Sequence, residues 1–258
     1  MEEMDVLTRS DARRQKAGGV AALYIALALL AAMPYFLLVV DYLGAETAAE
    51  KVALVIANYA SMYAMYLVTY VFYGIALSVL VFSLYDRLQA RAPATMRVAT
   101  AIGLLWSVAL VTSGMIFNYG MTTVVALDKT DPVQARLVWQ SLEPIAQALG
   151  GAGGEILGGL WVLLVSVVAL RSGALPRLLG WFGVVIGAAG LASVIPPMHD
   201  ASIVFGMLLI AWFAWVGATL MTTKAPGAEL SRAARARAAQ VERGGAGLGS
   251  ATGGPDLA

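Results

Sequence analysis

Cysteine is absent from the 258-residue chain, and histidine occurs once, at His199. The first absence excludes disulfides, thiolate metal sites, iron–sulfur clusters and cysteine nucleophiles. The second excludes bis-histidine haem, three-histidine zinc and paired-histidine carboxylate sites within one chain. Charge is scarce as well. Only 13% of residues are Asp, Glu, Lys or Arg, against about 25% in a typical soluble domain. With a formal net charge of +1, the chain also lacks the basic face that nucleic acid requires. No Ser or Thr sits in a recognisable nucleophile elbow, so acyl-transfer machinery is not visible. Met62, Met65, Met115, Met121 and Met198, with His199, are soft enough for Cu(I), but methionine is equally an ordinary filler of apolar cores. No catalytic, cofactor or metal residues are assigned.

What remains is apolar: 60% of the residues are hydrophobic. Six runs approach the 20 or so helical residues that cross about 30 Å of hydrocarbon, at 17–40, 60–84, 99–126, 152–170, 178–196 and 202–222. In lipid they must be helices, because an open sheet would leave backbone groups unpaired. The first run is longer than a signal-peptide core and lacks a small-x-small cleavage site, so it reads as an uncleaved span. Pro34 should kink it. The expected fold is all-α: a polytopic bundle of six transmembrane helices, with an outer amphipathic helix between spans three and four.

The basic residues set the orientation. Arg9, Arg13, Arg14 and Lys16 precede the first span; Arg87, Arg91 and Arg97 lie in the second loop and Arg171 and Arg177 in the fourth. Lys224, Arg232, Arg235, Arg237 and Arg243 follow the last span, so 14 of the 17 basic residues share one side. Lys51, Lys129 and Arg136 are left on the other. The positive-inside rule therefore puts both termini in the cytoplasm of a bacterial inner membrane. The expected organisation is a cytoplasmic segment 1–16, a membrane domain 17–224, and a basic, Ala/Gly-rich cytoplasmic tail 225–258, disordered at its end. The net charge splits into +6 on the cytoplasmic side and −5 on the outer, which suits a neutral or cationic outer ligand.

Between spans three and four, Asp131 is a plausible N-cap with Pro132 at the first helical position. Val133, Leu137, Val138, Leu142, Ile145 and Leu149 then recur at helical spacing. This predicts an amphipathic outer helix, bent or broken near Glu143 by Pro144. It could be a connector resting on the bundle or a lid over an outward cavity.

Tyr59, Tyr63, Tyr66, Tyr70 and Tyr73 are spaced 4, 3, 4 and 3 along the second span, a single helical stripe about 21 Å long. An interfacial belt would cluster tyrosines at the two ends, so a belt does not explain it. The stripe reads as a packing seam with hydroxyls bonded across helices, as an aromatic groove for a lipid-like or flat apolar ligand, or as a relay. Gly150, Gly154 and Gly158 allow close helix approach, as do Gly183 and Gly187, and could receive a membrane-protein partner. Glu155 is either an ionisable site inside the membrane or an interfacial cap. With Asp41, Asn58, Asn118 and His199 it could line an outward polar cavity. The candidate ligand-binding set is thus Tyr59, Tyr63, Tyr66, Tyr70, Tyr73, Asn118, Glu155 and His199.

The stretch 155–190, EILGGLWVLLVSVVALRSGALPRLLGWFGVVIGAAG, has an acidic residue, a Trp-containing span, an R-S-G-x-L-P-R turn and then L-G-W. With the opening ARRQKAGGVAALYIALALLA, it resembles a bacterial multi-pass membrane family known as domain-of-unknown-function family 4386, over roughly residues 13–222. The resemblance implies a six-helix bundle and no substrate, cofactor or catalytic residue. The leading functional expectation is a membrane protein, more readily a non-enzyme, that binds or moves a lipid-like or small amphiphilic ligand. The alternatives are an accessory subunit of a membrane complex and a membrane-embedded enzyme using Glu155 as acid or base.

Overall fold

The computed structural model describes residues 2–150, 155–198 and 200–223, with side chains from residue 10 onward. Among the described residues every regular element is helical. Helix α1 (Glu2–Pro34) passes into a π-helical segment, Tyr35–Val39, and a 3₁₀ turn, Tyr42–Gly44. Helices α2 (Ala48–Ala57) and α3 (Tyr59–Tyr66) lead through a second π segment, Leu67–Phe72, into α4 (Tyr73–Leu88). Then come α5 (Pro93–Asp128), α6 (Pro132–Gly150), α7 (Ile156–Ser172), α8 (Arg177–Ala192) and α9 (Ala201–Thr222).

Four stretches are long and apolar enough to cross a membrane: Ser10–Val39, Tyr59–Leu88, Pro93–Asp128 and Ala201–Thr222. The expected fourth and fifth spans are present as apolar helices, but α7 has 17 residues and α8 has 16. At 1.5 Å rise these are about 25 and 24 Å long, below the usual 30 Å. Their turn is set by local chemistry. Gly173 takes a left-handed conformation (φ 65°) that ends α7, and Pro176 stands immediately before α8.

Two apolar cores stack end to end. In the first, Tyr73, Trp106, Trp161, Trp212 and Phe213 form a closed ring of aromatic contacts with centroids 5.4–6.0 Å apart. Glycines let the surrounding helices close in. A side chain at Gly187 would meet the Gly159 carbonyl at 2.7 Å, and one at Gly217 the Gly19 carbonyl at 3.0 Å. The basic end of this core is tied by polar bonds. Gln15 donates to the carbonyls of Leu220 (2.9 Å) and Thr223 (2.6 Å), while Arg87 donates to Gln15 (2.8 Å) and to the Ala174 carbonyl (2.9 and 3.1 Å).

The second core lies at the opposite end, where Tyr42, Val52, Val55, Met62, Tyr66, Phe117, Met121 and Trp139 are buried together. Here α6 lies along the second half of α5, and its orientation corrects the expectation. Val133, Leu137, Ile145 and Leu149 face outward, while Ala135, Trp139, Glu143 and Ala146 are buried. Small residues at Ala135 and Ala146 bring α6 close to α5, with Ser113 Oγ donating to the Ala146 carbonyl at 2.7 Å. Nor does Pro144 break the helix, which continues to Gly150. The carbonyl it leaves without a donor belongs to the exposed Gln140. Pro34 acts similarly: the helix widens into the π segment instead of stopping.

The glycines expected to receive a partner are covered by this chain's own helices. Gly150 meets Tyr70 and Ser113, Gly158 meets Trp106 and Phe205, Gly183 meets Trp212, and Gly187 meets Gly159 and Leu163. Gly154 and the tail from Lys224 lie outside the described residues.

Candidate functional site

The site is built around Glu143. Trp139, Glu143 and Gln147 recur every four residues and so share the inward face of α6. Facing them, Thr47 and Glu50 form a reciprocal capping box that starts α2: Glu50 N donates to Thr47 Oγ1 at 3.2 Å and Thr47 N to Glu50 Oε2 at 3.0 Å. Two bonds from Glu46 N and Thr47 N hold the exposed Glu50 carboxyl below its usual range. That cap places Lys51 in the first turn of α2, pointing at α6.

Lys51 Nζ donates to both Glu143 oxygens, at 2.8 and 3.0 Å. Tyr42 Oη donates to Glu143 Oε1 at 2.9 Å and accepts from Trp139 Nε1 at 2.9 Å, and Gln147 Nε2 donates to Glu143 Oε1 at 3.1 Å. The ammonium also stands 5.5 Å from the centre of the Tyr42 ring. Burial, then the adjacent Glu143 charge, push the Tyr42 phenol far above its ordinary value, so it stays a proton donor. The Glu143 side chain is 8% exposed and that of Lys51 25%. A carboxylate this deep needs its counter-charge and bonds together, and it has both.

This network closes one end of a cavity of about 600 Å³. The walls are otherwise apolar: Leu29, Met33 and Phe36 on the first span side, Tyr66, Tyr70 and Phe117 behind, and Ile203, Gly206, Met207 and Ile210 on α9. Tyr66 lies flat on Phe117, with centroids 4.3 Å apart and planes 12° apart. Both π segments border the cavity, through Phe36 and Tyr70. Widened helical turns of this kind occur mostly at functional sites.

The tyrosine stripe does not form one wall. Tyr66 and Tyr70 line the cavity. Tyr59 bonds Thr122 (2.9 Å) and stands 5.9 Å from the ring of Tyr63. Tyr73 is buried in the other core, between Trp106 and Phe213, and its hydroxyl meets no described partner. The π segment between Tyr66 and Tyr73 is the cause: one extra residue in a turn rotates everything after it by about 100°.

The other candidates scatter. Asn118 is buried, with neither side-chain atom bonded among the described residues. Glu155 is half-buried just before α7, its backbone N–H donating to Ser193 Oγ at 3.0 Å. It is within electrostatic range of Tyr70 and Tyr73. Asn58 bonds the Leu54 carbonyl of its own helix, Asp41 is exposed, and His199 lies outside the described residues. None of the four described polar residues lines this cavity. Missed altogether were Tyr42, Lys51, Trp139, Glu143 and Gln147. The signal available for them was the four-residue repeat Trp139, Glu143, Gln147 and the Thr47–Glu50 capping box.

Residues 20–222 match the model of a family described as Domain of unknown function (DUF4386). The chain belongs to this family. The match runs from the apolar part of α1 to the last residue of α9, so the cavity, both π segments and the Lys51–Glu143 pair lie within the family domain. No curated protein and no solved structure matches the chain.

Proposed function

We propose that this DUF4386 protein is a six-span protein of the bacterial cytoplasmic membrane, with both termini inside, that binds an amphiphile in its outer half. The topology rests on the basic end of the bundle and on its apolar surface. Exposed apolar side chains on α5 run from Val98 to Tyr119, 21 residues or about 31 Å of helix, which matches the hydrocarbon thickness. On the α8 side they continue past the helix end, from Leu178 and Trp181 to Ile195 and Met198. A short helix with an apolar extension of this kind can span a bilayer with local thinning.

The ligand reading is carried by one observation: an apolar cavity of about 600 Å³ ends at a buried ion pair. That volume is within the roughly 300–1,000 Å³ range of small-molecule sites. A tail along Met33, Phe36 and Ile210, with a polar group at Lys51 and Glu143, satisfies both parts of the lining. Binding, with or without movement of the ligand across the membrane, is the function this supports.

Native mass spectrometry of protein extracted in a mild detergent tests it. The expected result is a stoichiometric adduct of lipid mass that survives delipidating washes. A protein that stays folded, shows only its bare mass and takes up no added lipid would end the reading.

A further inference from the structure

We infer, resting on that reading, that the ligand is an acyl-ester lipid with a neutral or zwitterionic headgroup, and that it enters sideways from the outer leaflet between α1 and α9.

The entrance follows from how the two helices part. Gly217 is held against α1, where an added Cβ would meet the Gly19 carbonyl at 3.0 Å and Leu23 at 2.7 Å. Gly206 lies eleven residues earlier on nearly the same face. A Cβ there would meet nothing within 4 Å. The seam is therefore closed toward the basic end and open at the other, and the cavity fills the wedge. Its rim is apolar and exposed: Ile203 is 62% exposed, Met207 54%, Leu43 70% and Leu37 46%. A water-facing gap rimmed only by such side chains would be unfavourable, whereas the same rim in hydrocarbon costs nothing.

The headgroup class follows from bonding capacity and charge. Tyr42, Gln147 and both Lys51 bonds already occupy the Glu143 carboxylate. What the polar end can still offer is mainly donors: the third Lys51 N–H and the second Gln147 N–H. The Lys51–Glu143 pair carries no net charge, so these donors suit an ester carbonyl. Outside it, Asp41, Glu46 and Glu50 are exposed around the Leu43–Ala45 side of the mouth. Three carboxylates there repel an anionic headgroup and attract an ammonium.

The test uses the full chain in nanodiscs of mixed phosphatidylethanolamine and phosphatidylglycerol. Each lipid in turn carries a photoreactive diazirine near the end of one acyl chain. Phosphatidylethanolamine should crosslink to peptides containing Met33–Phe36 and Ile203–Ile210, about fivefold more than phosphatidylglycerol, the ratio one exposed charge contact supplies. Gly206→Trp, which fills the wedge where there is room, should remove most of that crosslinking while leaving the melting temperature unchanged. Crosslinking inside the cavity that favours phosphatidylglycerol, or that Gly206→Trp leaves intact, overturns this inference and leaves the amphiphile reading standing. No crosslinking in the cavity by either lipid, in folded protein, removes both. Should Gly206→Trp not fold, a nitroxide on Met207→Cys decides the entrance, the chain having no other cysteine. Greater accessibility to oxygen than to a water-soluble nickel chelate supports a hydrocarbon-facing mouth; the reverse overturns it.

Discussion

Gly206 and Gly217 occupy nearly the same face of α9, three turns apart, and meet opposite surroundings: open cavity at the first, the Gly19 backbone at the second. The two positions should therefore respond oppositely to one methyl group. Gly206→Ala should stabilise the protein by about 0.5–1 kcal/mol, the usual gain for removing a glycine from a helix interior. Gly217→Ala should destabilise it by about 1–3 kcal/mol, because overpacking forces α1 and α9 apart. Thermal melts in one detergent compare them, and equal effects would contradict the wedge.

Lys51 and Glu143 should be unequal partners. Lys51→Met leaves a carboxylate 8% exposed without its counter-charge, whereas Glu143→Gln leaves an ammonium with 25% exposure and a way to water. The first should cost about 2–4 kcal/mol, less than a fully buried pair because Lys51 is partly solvated, and the second distinctly less. The double variant Lys51→Met, Glu143→Gln should recover part of the Lys51→Met loss. Additive losses in this cycle would show that the pair is not coupled.

Tyr59 and Tyr73 give a similar contrast within one stripe. Tyr59→Phe removes the 2.9 Å bond to Thr122 and should cost about 0.5–1 kcal/mol. Tyr73→Phe removes a buried hydroxyl with no described partner and should be neutral or stabilising. A loss above 1 kcal/mol for Tyr73→Phe would mean that its hydroxyl is bonded after all.

The orientation can be read with reporter fusions. A fluorescent protein that matures only in the cytoplasm should be bright when fused after Thr222 and dark when fused after Asp128. Brightness after Asp128 would reverse the topology drawn from the basic residues.

Much of the architecture was legible along the chain. The helices Tyr59–Leu88, Pro93–Asp128 and Ala201–Thr222 coincide closely with apolar runs, and the R-S-G-x-L-P-R turn carried the family resemblance. The site was hardly legible. Tyr66 and Tyr70 were among the candidates, but the π turn that separates them from Tyr73 leaves no mark in residue spacing. Lys51 and Glu143 are 92 positions apart, and neither belongs to a local motif that names the other.

The amphipathic helix shows why. In water, the apolar stripe Val133, Leu137, Ile145 and Leu149 would have turned inward, and that was the expectation. Next to lipid, apolar side chains gain little by hiding from the surroundings, while Glu143 and Trp139 gain bonds by turning in. Composition, run length and basic residues by themselves determined an apolar helical chain and the membrane topology expected of it, because those depend on sums over many residues. Which face of α6 points inward, where α1 and α9 part, and which charge meets Glu143 were decided only by tertiary packing, because in hydrocarbon bonding and close fit, and not hydrophobicity, choose the inside.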